Sequence, residues 1–127
     1  MKFKRTNYKG WIFELPFVYP SRNVTEPMHW AKRKRLHDKY QEDVAMILKA
    51  QEIHLFKCPV KIFIDLCFKT KSEHRRDFDN WQPKWLLDSM VKLGILPDDN
   101  SKVVTATDII FIDKEPQNKT VVKIEVK

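Results

Sequence analysis

The sequence is poor in several features that would have assigned it to a class. Cysteine occurs only twice in 127 residues. Cys58 and Cys67 bracket a segment that reads as one continuous strand. That strand would hold them roughly 30 Å apart, whereas a disulfide needs Cα atoms within about 7 Å. No four-ligand Cys/His spacing is present, so both read as reduced structural thiols in a cytoplasmic protein. No apolar run approaches membrane-spanning length, and none of signal-peptide length follows the basic start Met1-Lys2-Phe3-Lys4-Arg5. The triplets Asn23-Val24-Thr25 and Asn118-Lys119-Thr120 then read as chance matches to a glycosylation signal. No repeat, low-complexity tract or linker divides the chain, and residues 1–127 read as one domain.

What is abundant is positive charge. The formal net charge is +7 with a pI near 9.4, a field that suits a polyanionic partner better than an acidic small molecule. Charge alone does not separate DNA from RNA or an anionic membrane. Lys32, Arg33, Lys34 and Arg35 run together, and Arg75-Arg76 stand directly before two aspartates. Each cluster reads either as a phosphate-binding surface or as a solvated face.

Hydrophobic periodicity predicts a β-α-β-α-β-β order. Trp11 to Leu15 reads as a first strand ended by Pro16, followed by a loop through Pro20-Ser21-Arg22-Asn23. From about Pro27 to Ala50, Leu36, Tyr40, Val44, Ile47 and Leu48 recur at helical spacing opposite a basic face. After Pro59, Val60, Ile62, Ile64, Leu66 and Phe68 alternate on one strand face, ending in the polar stretch Thr70 to His74. A second helix is predicted from Trp81 to Leu93, with Asn80 as N-cap and Pro83 in its first turn, closed by Gly94 and Pro97. Trp81, Trp85, Met90 and Leu93 form a stripe of core or subunit interface. Val103 to Ile112 and Val121 to Val126 read as two further strands. The fold class expected is α+β, a mixed sheet packed against two helices.

The chemistry concentrates between residues 75 and 99. Asp77 and Asp79 are separated by one residue, so in an extended segment their carboxylates share a face and repel unless a cation lies between them. Hard oxygen ligands of that kind suit Mg²⁺ or Mn²⁺. Lys84 lies about one turn into the predicted helix, Asp98-Asp99 follow it, and the helix N-terminus favours a phosphate. Such a set could neutralise charge and supply an activated water for phosphodiester hydrolysis. The same aspartates could instead cap the helix and open a turn, as Asp and Asn often do. An EF-hand is excluded, because Trp81, Gln82 and Asp88 would occupy positions that need a ligand, a glycine and a glutamate. On these residues alone, metal binding and helix capping both stand.

The run Arg76-Asp77-Phe78-Asp79-Asn80, then Lys84, Asp88-Ser89-Met90, Gly94 and Asp98-Asp99, resembles the signature of the RusA family of Holliday-junction resolvases. Pro20-Ser21-Arg22-Asn23 is similar to that family's P-S-x-N loop. The resemblance implies that Asp77, Asp79 and Asp99 are metal-binding catalytic carboxylates and Lys84 a catalytic lysine. Arg75, Arg76, Lys32, Arg33 and Asn23 are the DNA contacts expected. One departure stands out: Pro83 is inserted before the lysine, which lies one residue further from the D-x-D than in the family. The resemblance further implies a homodimeric, Mg²⁺-dependent endodeoxyribonuclease placing symmetric nicks in four-way DNA junctions during recombination and repair, cytoplasmic and encoded by bacteria, phages or prophages. Two alternatives keep part of this: a non-catalytic basic module that binds branched nucleic acid, and a metal nuclease acting on flaps or RNA. A helix from Trp81 to Leu93 would be roughly 20 Å long and leave Asp99 far from Asp77 and Asp79. Either the chain after Gly94 folds back along the helix, or carboxylates of two subunits combine.

Overall fold

A computed structural model describes residues 3–5, 10–19, 25–51, 53–57, 59–69, 83–112 and 115–126. The main sheet has four strands, β2 (Gly10–Leu15), β4 (Val60–Cys67), β5 (Val104–Ile112) and β6 (Lys119–Val126), in the order β2-β6-β4-β5. It is mixed: β6 runs antiparallel to both β2 and β4, and β5 runs parallel to β4. Two short strands, β1 (Phe3–Arg5) and β3 (Ile53–Leu55), pair in parallel as a separate ribbon. The helices are α1 (Trp30–Lys49) and α2 (Lys84–Lys92). The α+β class and the order of the six principal elements agree with the periodicity. The ribbon was not foreseen, because three-residue strands are too short to establish a period.

Alternation along the strands explains the core. Phe13, Leu15, Ile62, Ile64, Leu66, Val122 and Ile124 are buried, with Tyr40, Val44 and Leu48 of α1 and Leu86, Leu87 and Met90 of α2 in the same cluster. Three residues of the expected α1 stripe are thus buried and Ile47 packs against the cluster, whereas Leu36 stays outside it and the helix starts at Trp30 instead of Pro27. The α2 stripe is rotated from its expected phase. Leu86, Leu87, Ser89 and Met90 are buried, while Trp85 and Leu93 are only partly covered and Trp81 lies outside the described residues. Trp85 instead meets α1, its ring 5.0 Å from His37 and 6.0 Å from Tyr40. Thr120, inside one of the glycosylation-type triplets, is fully buried and donates its hydroxyl to the Phe17 carbonyl at 2.7 Å.

Cys67 is a free thiol, buried at the end of β4, and burial is the largest cause pushing its pKa up. Cys58 and the stretch Thr70 to His74 lie outside the described residues. Gly10 is required by close approach: a Cβ there would meet the Ile124 carbonyl oxygen of β6 at 2.6 Å. Among the described residues, no helix is long and apolar enough to cross a membrane.

Candidate active site

The site region begins where α2 begins. The expected N-cap, Asn80, lies outside the described residues, and the helix starts at Lys84 with Pro83 in the cap position at φ −76°, ψ 2°. Pro83 is thus not in the first turn, and Lys84 is the first helical residue instead of one turn in. The physical reason lies in the proline ring, which disfavours helix for the residue before it. Without a side-chain cap, the first turn relies on the Pro83 carbonyl, which accepts from the Leu87 N–H at 2.9 Å. The nine residues of α2 span only about 13 Å, shorter than the helix expected.

The other end of α2 closes as Gly94 predicts. Gly94 has φ +82°, its N–H donates to the Val91 carbonyl, and the Ile95 N–H donates to that of Met90 at 2.9 Å. This is a Schellman closure, in which glycine takes the left-handed conformation at no steric cost. Ile95 and Leu96 then enter the core, and the Ile95 carbonyl accepts from the Phe56 N–H at 2.9 Å, tying the returning chain to the segment after β3.

That return carries Asp99 back toward the start of α2. Its Oδ2 lies 4.0 Å from Lys84 Nζ, so one chain alone brings the lysine and the distant aspartate together. Lys84 Nζ also donates to Asp88 Oδ1 at 3.1 Å, one turn along the helix. The hydrogen bond to Asp88 and then its charge raise the Lys84 pKa above the ordinary lysine value, outweighing desolvation, with the smallest contribution from Asp99. Lys84 is therefore a held cation at neutral pH, suited to stabilising negative charge and unsuited to taking up a proton.

The two aspartates after Pro97 are not equivalent. Asp98 Oδ1 accepts the Asp99 N–H at 2.7 Å, and its Oδ2 accepts from Asn100 Nδ2 at 3.0 Å. Asn100 Oδ1 in turn accepts the N–H groups of Lys102 and Val103. Asp98 braces a turn, while the Asp99 carboxylate faces Lys84. Behind the lysine, Asp88 Oδ2 lies 3.4 Å from His37 Nε2 of α1, so the helices meet through a carboxylate already committed to Lys84. The Lys84–Asp88 pair was legible as an i, i+4 spacing; His37 was not, because nothing in the local sequence links it to α2.

Asp77, Asp79, Arg75, Arg76 and Asn23 lie outside the described residues. Among the described residues, no group of three or more His, Cys, Asp or Glu converges as a metal site, and Asp99 is the one expected ligand described. Its partly exposed carboxylate is a hard oxygen donor of the kind Mg²⁺ and Mn²⁺ take. Lys32 and Arg33 are exposed on the first turn of α1, and Arg33 lines an open groove with Lys84.

The described part of the site thus sets a cation against a carboxylate in a small α+β domain of positive overall charge. The family model for endodeoxyribonuclease RusA matches residues 21–127, nearly the whole chain. The chain belongs to the RusA family, whose members are nucleases of the Holliday-junction resolvase class. No curated protein matches it.

Proposed function

We propose that residues 1–127 act as one metal-dependent endodeoxyribonuclease domain that resolves four-way DNA junctions by paired, symmetric nicks in recombination and repair. The observation that carries this reading is the meeting of Lys84 with Asp99, two residues the family signature separates by a helix and a turn. Asp77, Asp79 and Asp99 would hold Mg²⁺ or Mn²⁺, which supplies positive charge and a water of lowered pKa for attack on phosphorus. Hydrolysis adds that water across one P–O bond, leaving a phosphate on one product and a hydroxyl on the other.

Lys84 sets an ammonium beside Asp99, where it can meet charge that grows on the phosphoryl oxygens or the leaving oxygen. Asp88 orients that ammonium through the 3.1 Å hydrogen bond, and Asp98 holds the turn that presents Asp99. The return of the chain after Gly94 supports Asp99 acting within its own subunit. Arg75, Arg76, Lys32, Arg33 and Asn23 serve as phosphate contacts. A homodimer in a bacterial or phage-infected cytoplasm completes the reading, because two sites related by a twofold axis suit a substrate that needs two matched cuts.

The test offers purified protein a labelled four-way junction and a duplex of the same sequence, in Mg²⁺ or in EDTA. Cleavage confined to the junction in Mg²⁺ is expected; equal cleavage of both substrates, or none, overturns the assignment. Asp79→Asn removes charge but little volume, and should abolish cutting while junction binding persists. Light scattering coupled to gel filtration checks the dimer, and a monomer at assay concentrations would refute it.

A further inference from the structure

The seam between α1 and α2 changes character along its length. Toward the C-terminal end of α1 it is filled by Tyr40, Val44 and Leu48, all buried. Toward the N-terminal end the same helical stripe continues through His37, Lys34, Arg33 and Trp30. With Lys84, Trp85 and Asp88 of α2 these line an open groove of about 410 Å³. Trp30 is 66% exposed, with the His29 ring 5.6 Å away. Asp88 is held by Lys84 and His37, and Lys34 pairs with Asp38 at 3.0 Å. Arg33 and Lys84 keep the lining net positive.

An exposed indole among cations beside a phosphodiester-cleaving centre has the parts of a single-strand platform, in which bases stack on aromatic faces and phosphates meet basic side chains. In an intact duplex every base is covered on both faces by its neighbours, so only an unstacked nucleotide has a face to give Trp30. We infer that this groove binds an unpaired nucleotide at a DNA branch point, its base against Trp30 and its flanking phosphates on Arg33 and Lys34, with the strand continuing past Lys84. The inference deepens the nuclease reading and rests on it for the direction of the strand. It gives preference for branched over linear DNA a physical origin outside the carboxylates, because discrimination comes from a contact that paired DNA does not make.

The test uses the full chain in EDTA, where nothing is cut, with a fluorescein-labelled oligodeoxythymidylate and a closed hairpin duplex as probes read by anisotropy. Trp30→Ala should weaken oligodeoxythymidylate binding roughly 10-fold, the loss of one base stack, and leave hairpin affinity within about twofold. Trp30→Phe keeps an aromatic face and should restore most of the loss. Unchanged oligodeoxythymidylate binding in Trp30→Ala, or equal weakening of both probes, overturns the inference. Junction cleavage by the unsubstituted protein in Mg²⁺ is scored separately. Cleavage without Trp30-dependent discrimination defeats this inference alone, and discrimination without cleavage defeats the nuclease reading alone.

Discussion

The two ends of α1 face α2 with opposite chemistry. Around Tyr40, Val44 and Leu48 the helices share the apolar core; around Trp30, Arg33 and His37 they border a groove and share a carboxylate, Asp88, with Lys84. One half of the seam gains free energy by excluding water. The other holds charges where water and a polyanion can reach them, and contributes little to stability because exposed ion pairs are worth roughly 1 kcal/mol or less. The fold is thus anchored at one end of a helix pair so that the other end can remain polar and exposed.

Substitutions can break this division, and the largest effect should come from the polar end. Asp99→Asn should lower junction cleavage on the order of 10³-fold, equivalent to about 4 kcal/mol of barrier, while leaving the thermal midpoint nearly unchanged. Single-turnover kinetics and calorimetry check both halves, and a large drop in midpoint would make Asp99 structural. Leu48→Ala, at the apolar end, should do the reverse: a loss of about 2–5 kcal/mol of stability by urea unfolding, with cleavage per folded molecule preserved. Gly10→Ala should cost roughly 1–3 kcal/mol, because the new methyl meets the Ile124 carbonyl; an unchanged unfolding midpoint would show that the strands can separate there.

The mildest change sharpens the comparison at its boundary. Asp88→Asn removes the largest causes of the raised Lys84 pKa, so the lysine should titrate at lower pH in the variant, as carbon NMR of its Cε would report. The sign for stability follows from the same shift. The Lys84 contribution is complete below the ordinary lysine pKa and is lost as pH rises through the raised value. Because Lys84 is largely exposed, that contribution is small. Cleavage should fall about 10- to 100-fold, as for other residues that orient a catalytic group. Unaltered titration would show that Asp88 does not govern the lysine.

Much of the scaffold was legible because it repeats. The alternation from Val60 to Leu66 and the stripe Tyr40, Val44, Leu48 each declare a buried face over several residues, and Gly94 announces a helix end by a conformation only glycine adopts easily. What escaped depended on single residues or distant partners. Pro83 moved the start of α2. Phe3–Arg5 and Ile53–Leu55 form strands only because each meets the other. The fold-back that joins Lys84 to Asp99, one of two alternatives the sequence left open, rests on the shorter helix and the anchoring of Ile95 on Phe56, neither visible as a local pattern. His37 and Trp30 belong to the groove through α2, a relation that sequence spacing within α1 cannot express. Asp77, Asp79, Arg75, Arg76 and Asn23 enter through the family signature and the charge pattern, since they fall outside the described residues.

The central place of β6 has a kinetic consequence. Among the described residues β2 pairs in the sheet with β6 alone, Gly10 against Glu125 and Leu15 against Thr120, so a ribosome must deliver β6 before β2 can dock. Until then the apolar side chains of Trp11, Phe13 and Leu15 have no sheet to cover them, which is the situation in which nascent chains engage chaperones or aggregate. Contacts of such sequence separation also slow folding. The sheet is therefore expected to be completed late, when β6 joins β2 to the β4–β5 pair.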